Sequence, residues 1–367
     1  MGIPEKIKAI QDEILRTQNN KATEHHIGLL KAKIAKLKRE QETEQVKKSA
    51  KKQDGFDVKR TGDATVVFIG LPSVGKSTLL NRLTGSKSAI GAYQFTTLTV
   101  VPGVMNYRGA RIQVLDLPGI IKGASTGKGL GKRILSVARS ADIVLLVLDV
   151  FQPYHEDVLI NELGNIGIRL NQTPPDIVIE KSTTGGIAVA QQKKLKKMSE
   201  KLLKEILNIY GYTSARVVIK EDIESEQLID FINGNKTYAK GITILNKIDL
   251  VDEKFLKNVS KKLKTDFIPT SADSNKNINQ LKERIYNELQ FIRVYLRPKG
   301  GETDFKEPLI VRKGNTVADV CNKLHRNMKK DFRFGLVWGK SVKFGGQRVS
   351  LNHVLIDEDV LTVVKKR

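Results

Sequence analysis

Gly70-Leu71-Pro72-Ser73-Val74-Gly75-Lys76-Ser77 has the form G-x-x-x-x-G-K-S, and Thr78 follows it. Ahead of it stands Thr65-Val66-Val67-Phe68-Ile69, an apolar run of buried-strand length. After it, Ser77 to Leu83 reads as a helix. A strand that enters such a loop and leaves as a helix is the context of a phosphate-binding loop. Its glycines let the backbone curl, so that successive N–H groups and the helix N-terminus face phosphate oxygens. Gly70 to Thr78 are therefore the candidate phosphate contacts. Lys76 is placed to bridge a β- and a γ-phosphate, and the Ser77 hydroxyl to hold Mg²⁺.

Three further stretches fall into line behind this loop. Asp116-Leu117-Pro118-Gly119 ends the strand Arg111–Leu115. Asp116 would face the metal through water, and the Gly119 N–H would sense a γ-phosphate. Asn246-Lys247-Ile248-Asp249 ends the strand Ile242–Leu245. An ionised carboxylate only accepts hydrogen bonds. Asp249 can thus take both the N1–H and the amine of guanine, whereas adenine leaves it unpaired. Asn246 would support the base site, and the Lys247 stem would cover the base. Ser271-Ala272, after Phe267–Pro269, offers a backbone N–H to the guanine carbonyl. GTP and GDP are the ligands this order of motifs selects.

Strands alternating with helices imply an α/β fold with a mostly parallel sheet and helices on both faces. Asp116 and Asn246 stand 130 residues apart. Ordinary element and loop lengths fill such an interval with roughly 55–65 residues. The excess points to a small inserted α/β domain over 166–239, read as strand, turn at Gly185-Gly186, strand, helix, strand, helix. The main domain then covers 53–165 plus 240–293. Residues 1–52 read as a basic helical hairpin and linker. Ile7, Ile10 and Ile14 form one apolar stripe and Leu30, Ile34 and Leu37 a second, with Thr23 as N-cap between them. Residues 294–367 suit a compact β-grasp unit whose helix, capped by Thr316, carries Val317, Val320 and Cys321 on one face.

The 367 residues carry a formal net charge of +23, which points to a polyanionic partner such as RNA. One cysteine excludes a disulfide framework or a cysteine-cluster zinc site. The five histidines have no spacing that suggests ligation. No apolar run approaches the roughly 18 residues of a membrane helix, and no signal peptide is legible, so the expected address is cytoplasmic. Neither a membrane nor a DNA partner is expected. In the tail, Lys323, Arg326, Lys329, Lys330 and Arg333 cluster beside Phe332, Phe334 and Trp338. Basic residues among aromatics suit RNA contact. The competing reading, preferred for Phe334 and Trp338, is that they fill a small core.

The four motifs in this order resemble a guanine-nucleotide-binding domain of the translation-factor-related kind. Tyr93-Gln94-Phe95-Thr96-Thr97-Leu98 resembles the first switch of the Obg-like GTPases, and Asp116 to Ala124 their second. With the helical start, the insert and the β-grasp tail, the whole chain is similar to the developmentally regulated GTP-binding protein (DRG) family. The resemblance implies a P-loop GTPase domain, an insert related to a ribosomal-protein domain, and a C-terminal TGS domain. It implies that Thr97, with its neighbour Thr96 as the alternative, supplies the switch contact to Mg²⁺ and the γ-phosphate. Lys76, Thr97 and Gly119 are then the catalytic set, and Ser77, Thr97 and Asp116 the metal set. Ile120 stands where Ras-like enzymes carry the glutamine that orients water, so slow intrinsic hydrolysis is expected. Some relatives bind K⁺ through a loop asparagine; Ser73 occupies that position here, which leaves K⁺ open. The glycine-rich second switch, with Gly123, Gly127, Gly129 and Gly131 among Lys122, Lys128, Lys132 and Arg133, reads as a segment that orders with GTP. The function implied is Mg²⁺-dependent hydrolysis of GTP to GDP by a ribosome-associated switch or assembly factor. A nucleotide-gated RNA-binding module with negligible turnover is the alternative. An ATPase is the third reading, and Asn246 to Asp249 argue against it. Eukaryotic relatives associate with a zinc-finger regulatory protein, a partner the resemblance raises for this chain.

Overall fold

The computed structural model describes residues 2–18, 20–48, 62–85, 101–117 and 137–366. Thr96, Thr97, Pro118, Gly119, Ile120 and the glycine-rich switch segment lie outside the described residues. The chain divides into two compact units, Met1–Gly55 with Asn171–Tyr238, and Phe56–Leu170 with Ala239–Arg367.

The second unit is built on a seven-stranded sheet. Its strands are β1 (Ala64–Gly70), β2 (Val101–Tyr107), β3 (Ala110–Asp116), β4 (Ile143–Asp149), β5 (Ile168–Leu170), β9 (Thr237–Asn246) and β10 (Phe267–Pro269). The order is β10-β9-β4-β1-β3-β2, with β5 against β9. The pairs β10·β9, β9·β4, β4·β1 and β1·β3 are parallel, and β2 runs antiparallel at the edge. Every residue of β1 is buried, so its sequence is apolar without alternation. Burying Phe68 or Ile69 there contributes roughly 1.5–3 kcal/mol each. One face packs Val66, Phe68, Ile112 and Leu145 under α3 (Lys76–Thr84) and α8 (Ile278–Glu288). The other packs Val67, Ile69, Leu146 and Leu148 under α4 (His155–Asn165) and α7 (Glu253–Ser260).

The tail continues directly from α8. Its strands β11 (Phe291–Leu296), β12 (Leu309–Arg312), β13 (Phe332–Trp338), β14 (Gln347–Val349) and β15 (Asp359–Lys365) lie in the order β12-β11-β15-β13-β14. Only β11·β15 is parallel, which is the β-grasp arrangement. Helix α9 (Val317–Leu324) buries Val317, Val320 and Cys321 against this sheet. The Asp319 carboxylate accepts from the Thr316 N–H and hydroxyl at 2.8 Å each. Those bonds hold its pKa below the ordinary carboxylate value. Phe334 and Trp338 do not fill the core as expected. A bulge between Phe332 and Phe334 shifts the alternation, so that Phe332 enters the core while Phe334 and Trp338 stand half-buried on the far face. Lys323 is likewise withdrawn from the basic cluster, since its ammonium donates to Asp63 at 2.8 Å and to the Ile310 carbonyl.

The first unit joins the two ends of a long sequence interval. Helices α1 (Ile3–Arg16) and α2 (Glu24–Lys48) form the hairpin. Thr23 stands directly before α2 and its carbonyl accepts the Ile27 N–H at 2.9 Å, while its hydroxyl bonds to Asn20 and Gln18 within the turn. Strands β6 (Ile177–Lys181), β7 (Ile187–Gln191) and β8 (Ala215–Ile219) form a sheet in the order β6-β8-β7. Helices α5 (Glu200–Ile209) and α6 (Ser225–Asn233) cover it. The apolar side of α2 completes that core through Leu29, Ala32 and Ala35.

Candidate functional site

The parallel strands deliver their C-terminal ends to one rim. Register sets Phe68 beside Asp116, Gly70 beside Val147, and Asp149 beside Asn246. Ligands of open α/β sheets bind at that rim. A cavity of about 340 Å³ lies there, lined by Ser73, Gly75, Lys76, Ser77, Thr78, Asn246, Lys247, Ala272 and Asp273.

The phosphate loop turns through two left-handed residues, Ser73 (φ 63°) and Gly75 (φ 92°). Any Cβ at Gly75 would lie 2.3 Å from the Asn246 amide nitrogen, and one at Gly70 2.6 Å from the Val147 carbonyl. Both positions therefore require glycine, one for its φ and both for the close approach. Lys76 is buried, and its ammonium donates to the carbonyls of Leu71 at 2.7 Å and Gly70 at 3.2 Å. Burial holds its pKa below the ordinary lysine value, against the opposing pull of Asp116.

Ser77 donates its hydroxyl to Asp116 Oδ2 at 2.7 Å. Asp116 is 6% exposed, and its Oδ1 is buried without a partner among the described residues. An orphaned carboxylate oxygen beside a hydroxyl is a donor set that a hydrated divalent cation fits. Ser77 and Asp116 meet through this bond, while Thr97 and Gly119 lie outside the described residues.

Asn246 ties the site together. Its amide donates to the Val74 carbonyl at 2.9 Å, and its Oδ1 accepts the Ala272 N–H at 3.1 Å. The Ser271 N–H bonds the Lys276 carbonyl, so both amides of the Ser-Ala pair are engaged within the protein. Lys247 adopts a left-handed backbone (φ 68°) and its ammonium meets Asp149 at 2.7 Å. The short turn Ile248–Leu250 then carries Asp249, exposed at the rim.

Two contributors escaped the sequence reading. Asp149 ends the apolar strand β4, a position whose chemistry is invisible until β9 lies beside it. Arg82 on α3 donates to the carbonyls of Ala272 at 2.7 Å and Asp273 at 2.9 Å. It links the helix behind the phosphate loop to the Ser-Ala loop 190 residues away, and nothing local in the sequence marks it.

A phosphate loop, a buried Ser–Asp pair and an Asn-Lys-x-Asp turn converging on one sheet rim define a GTP-binding protein of the P-loop class. Residues 65–181 match the family described as 50S ribosome-binding GTPase, 184–291 the C-terminal region of that domain, and 292–365 the TGS domain. An uncharacterized GTP-binding protein of Methanocaldococcus jannaschii is 51% identical, covering 100% of this chain and 94% of the relative. Developmentally-regulated GTP-binding protein 1 of Xenopus laevis is 44% identical, with 100% of each chain covered. Among solved structures, the YchF GTPase of Schizosaccharomyces pombe gives a TM-score of 0.43 at 15% identity, covering 83% of this chain and 99% of that one. The chain belongs to the developmentally-regulated GTP-binding protein family.

Proposed function

We propose that the protein is a Mg²⁺-dependent GTPase with slow intrinsic turnover, working as a nucleotide-set switch or assembly factor on ribosomes or other RNA. The observation that carries this reading is the Ser77–Asp116 pair with its unpartnered buried oxygen, set against the phosphate loop. Ser77 and Asp116, the latter through water, would hold Mg²⁺, with Thr97 as the third contributor. When bound, the ion neutralises charge on the phosphate oxygens. Lys76 exchanges its two carbonyl partners for phosphate oxygens, and the loop N–H groups stabilise charge that grows there as water attacks in line. The guanine carbonyl shares the Ala272 N–H with Asn246. Asp249 accepts from the guanine edge, and the Lys247 stem, pinned by Asp149, lies over the base. The ribosome assignment is supported by the net charge of +23 and by the matched family's description.

The decisive measurement is GTP hydrolysis at physiological salt, with and without ribosomes from the source organism, in potassium and in sodium. A slow basal rate raised at least tenfold by ribosomes is expected. An unstimulated rate removes the ribosome assignment and leaves the GTPase. No phosphate release in a single-turnover assay would leave a nucleotide-gated binding module instead. A potassium-specific rise would assign K⁺ as a second cofactor despite Ser73.

Arg82 supplies a separate expectation. Arg82→Ala removes both bonds that hold the Ala272–Asp273 backbone, so guanine-nucleotide affinity should fall about tenfold and stability by about 1.5–3 kcal/mol, the worth of a charged hydrogen bond. Arg82→Lys should recover only part, because one ammonium cannot reproduce the fork. Titration with a fluorescent GDP analogue reads both; wild-type affinity in the alanine variant would mean Asn246 alone sets the loop.

A further inference from the structure

An edge strand presents outward N–H and C=O groups that are open to pairing with another chain unless something blunts them. Most edges of this fold are blunted. Strand β2 carries Pro102, and β10 is three residues long and ends at Pro269. Strand β5 is equally short and carries Arg169, as β14 carries Arg348. Strand β12 is four residues long, follows Pro308 and ends at Arg312. In the sheet of the first unit, β6 follows Pro174-Pro175 and closes with Glu180-Lys181.

Strand β7, at the opposite edge of that sheet, has none of these devices. Ile187-Ala188-Val189-Ala190-Gln191 holds no charge and no proline, and no register shift interrupts its parallel pairing with β8. The Ala215 N–H meets the Gly186 carbonyl at 3.0 Å, and the Gln192 N–H meets the Ile219 carbonyl at 2.9 Å. Those bonds fix the alternation. Ala188 and Ala190 turn their backbone groups to β8, so the N–H and C=O groups of Ile187, Val189 and Gln191 face outward. Ile187 and Val189 rest their side chains, half-buried, on the core beneath α5. Ala188 and Ala190 lie exposed on the other face, where their methyl groups leave the surface flat.

The exit from this edge is basic. Lys193 and Lys194 follow Gln192, and among the described residues neither forms an ion pair with a carboxylate. Their loop is fixed from behind, because the Asp222 carboxylate accepts the N–H groups of Lys196 at 2.8 Å and Lys197 at 3.1 Å. The other acids of this corner are engaged, Glu224 with the Lys197 ammonium at 3.0 Å and Glu221 with the Asp176 N–H at 3.0 Å.

An apolar edge of this kind gains from one more strand, which pairs the groups the chain itself leaves open and extends the cover over Ile187 and Val189. RNA has no such ladder to offer. A second copy has the right backbone, but two chains of net charge +23 repel. Acidic residues beside an incoming strand match Lys193 and Lys194.

We infer that β7 is a docking edge for a partner protein, which adds an antiparallel, extended segment with apolar side chains at alternate positions and acidic residues ahead of it, beside Lys193 and Lys194.

The test uses the full-length protein and a fluorescein-labelled peptide in which valine and threonine alternate over about six residues, a strand's length, behind two aspartates. Anisotropy should give a Kd below about 1 mM. In antiparallel addition, the residues that bond to Ile187 and Val189 also set their side chains on the core face. N-methylation of the valines should therefore cost at least about tenfold in affinity, the worth of one or more hydrogen bonds, while N-methylation of the threonines should leave binding intact. Val189→Pro removes one outward N–H without touching the ladder to β8, and should weaken binding about tenfold. Lys193→Glu combined with Lys194→Glu should weaken it about tenfold and reverse its salt dependence. Melting temperature and fluorescent-GDP binding check that each variant is folded, and the lysine pair keeps the test open if Val189→Pro is not. A parent peptide that fails to bind at about 1 mM overturns the inference. Equal binding by the two methylated peptides overturns it as well, since contact through side chains alone would explain that. So does a wild-type dimer in sedimentation that Val189→Pro converts to monomer, which assigns the edge to a second copy.

Discussion

Asp249→Asn should lose about 10³-fold or more in GTP affinity and gain binding of xanthosine triphosphate. The carboxylate only accepts hydrogen bonds, and guanine presents two donors along one edge. An amide accepts from N1–H but turns its NH₂ group toward the second position, where guanine also has a donor. Xanthine carries a carbonyl there, and the match returns. Sites built around hydrogen bonds reject a mismatched partner by about 10⁴–10⁵. Asp249 is exposed on its short turn, so stability should move by no more than about 0.5 kcal/mol. Competition of GTP, XTP and ATP against a fluorescent GDP analogue reads the switch. A variant that still prefers GTP would remove Asp249 from base recognition.

Lys76→Ala should abolish measurable hydrolysis, a loss of at least about 10³-fold, because the cation that meets transferring charge is gone. Without nucleotide, the stability difference between the variant and the wild type should depend on pH. Wild-type Lys76 is buried against two carbonyls, and that burial holds its pKa below the ordinary value of 10.5. The unfolded chain therefore holds this proton more tightly than the folded one. The penalty is fully present below the lowered folded-state pKa. It declines as pH rises through the lowered folded-state pKa and is gone above 10.5. Denaturant titrations of both proteins in that window, with nucleotide removed, should show the wild type gaining on the variant as pH rises. A gap that stays constant would mean that burial imposes no such cost on the charged amine.

Most of the rim was legible because its signals are local. The loop announces itself within eight residues, and Asn246 to Asp249 within four. The parallel strands are continuous apolar runs, and the insert shows as surplus length. What was not legible depends on the third dimension. Strand β2 opens Val101-Pro102-Gly103, which reads as a breaker; it is tolerated because β2 is the sheet's edge, where a missing N–H leaves no neighbour unpaired. The bulge that turns Phe334 and Trp338 outward inverts a two-residue alternation without leaving a mark in composition. Arg82 and Asp149 act on partners 190 and 98 residues away. On α2 the residues that join the core of the sheet formed by 177–219 are Leu29, Ala32 and Ala35, not the stripe of Leu30, Ile34 and Leu37 read from the sequence.

The way the tail meets the main domain has a consequence for biosynthesis. Ile310 belongs to the larger core, and Asp142, which accepts the Thr65 N–H at the root of β1, also receives Arg312. Strand β11 in turn pairs with β15, whose last residue is Lys365. A nascent chain that has emerged only to the end of α8 thus exposes an unfilled patch beneath its central strand. That patch closes only when β12, which carries Ile310 and Arg312 and pairs with β11, has followed. A truncation ahead of β12 therefore leaves a nucleotide site whose supporting core is open to chaperones and proteases.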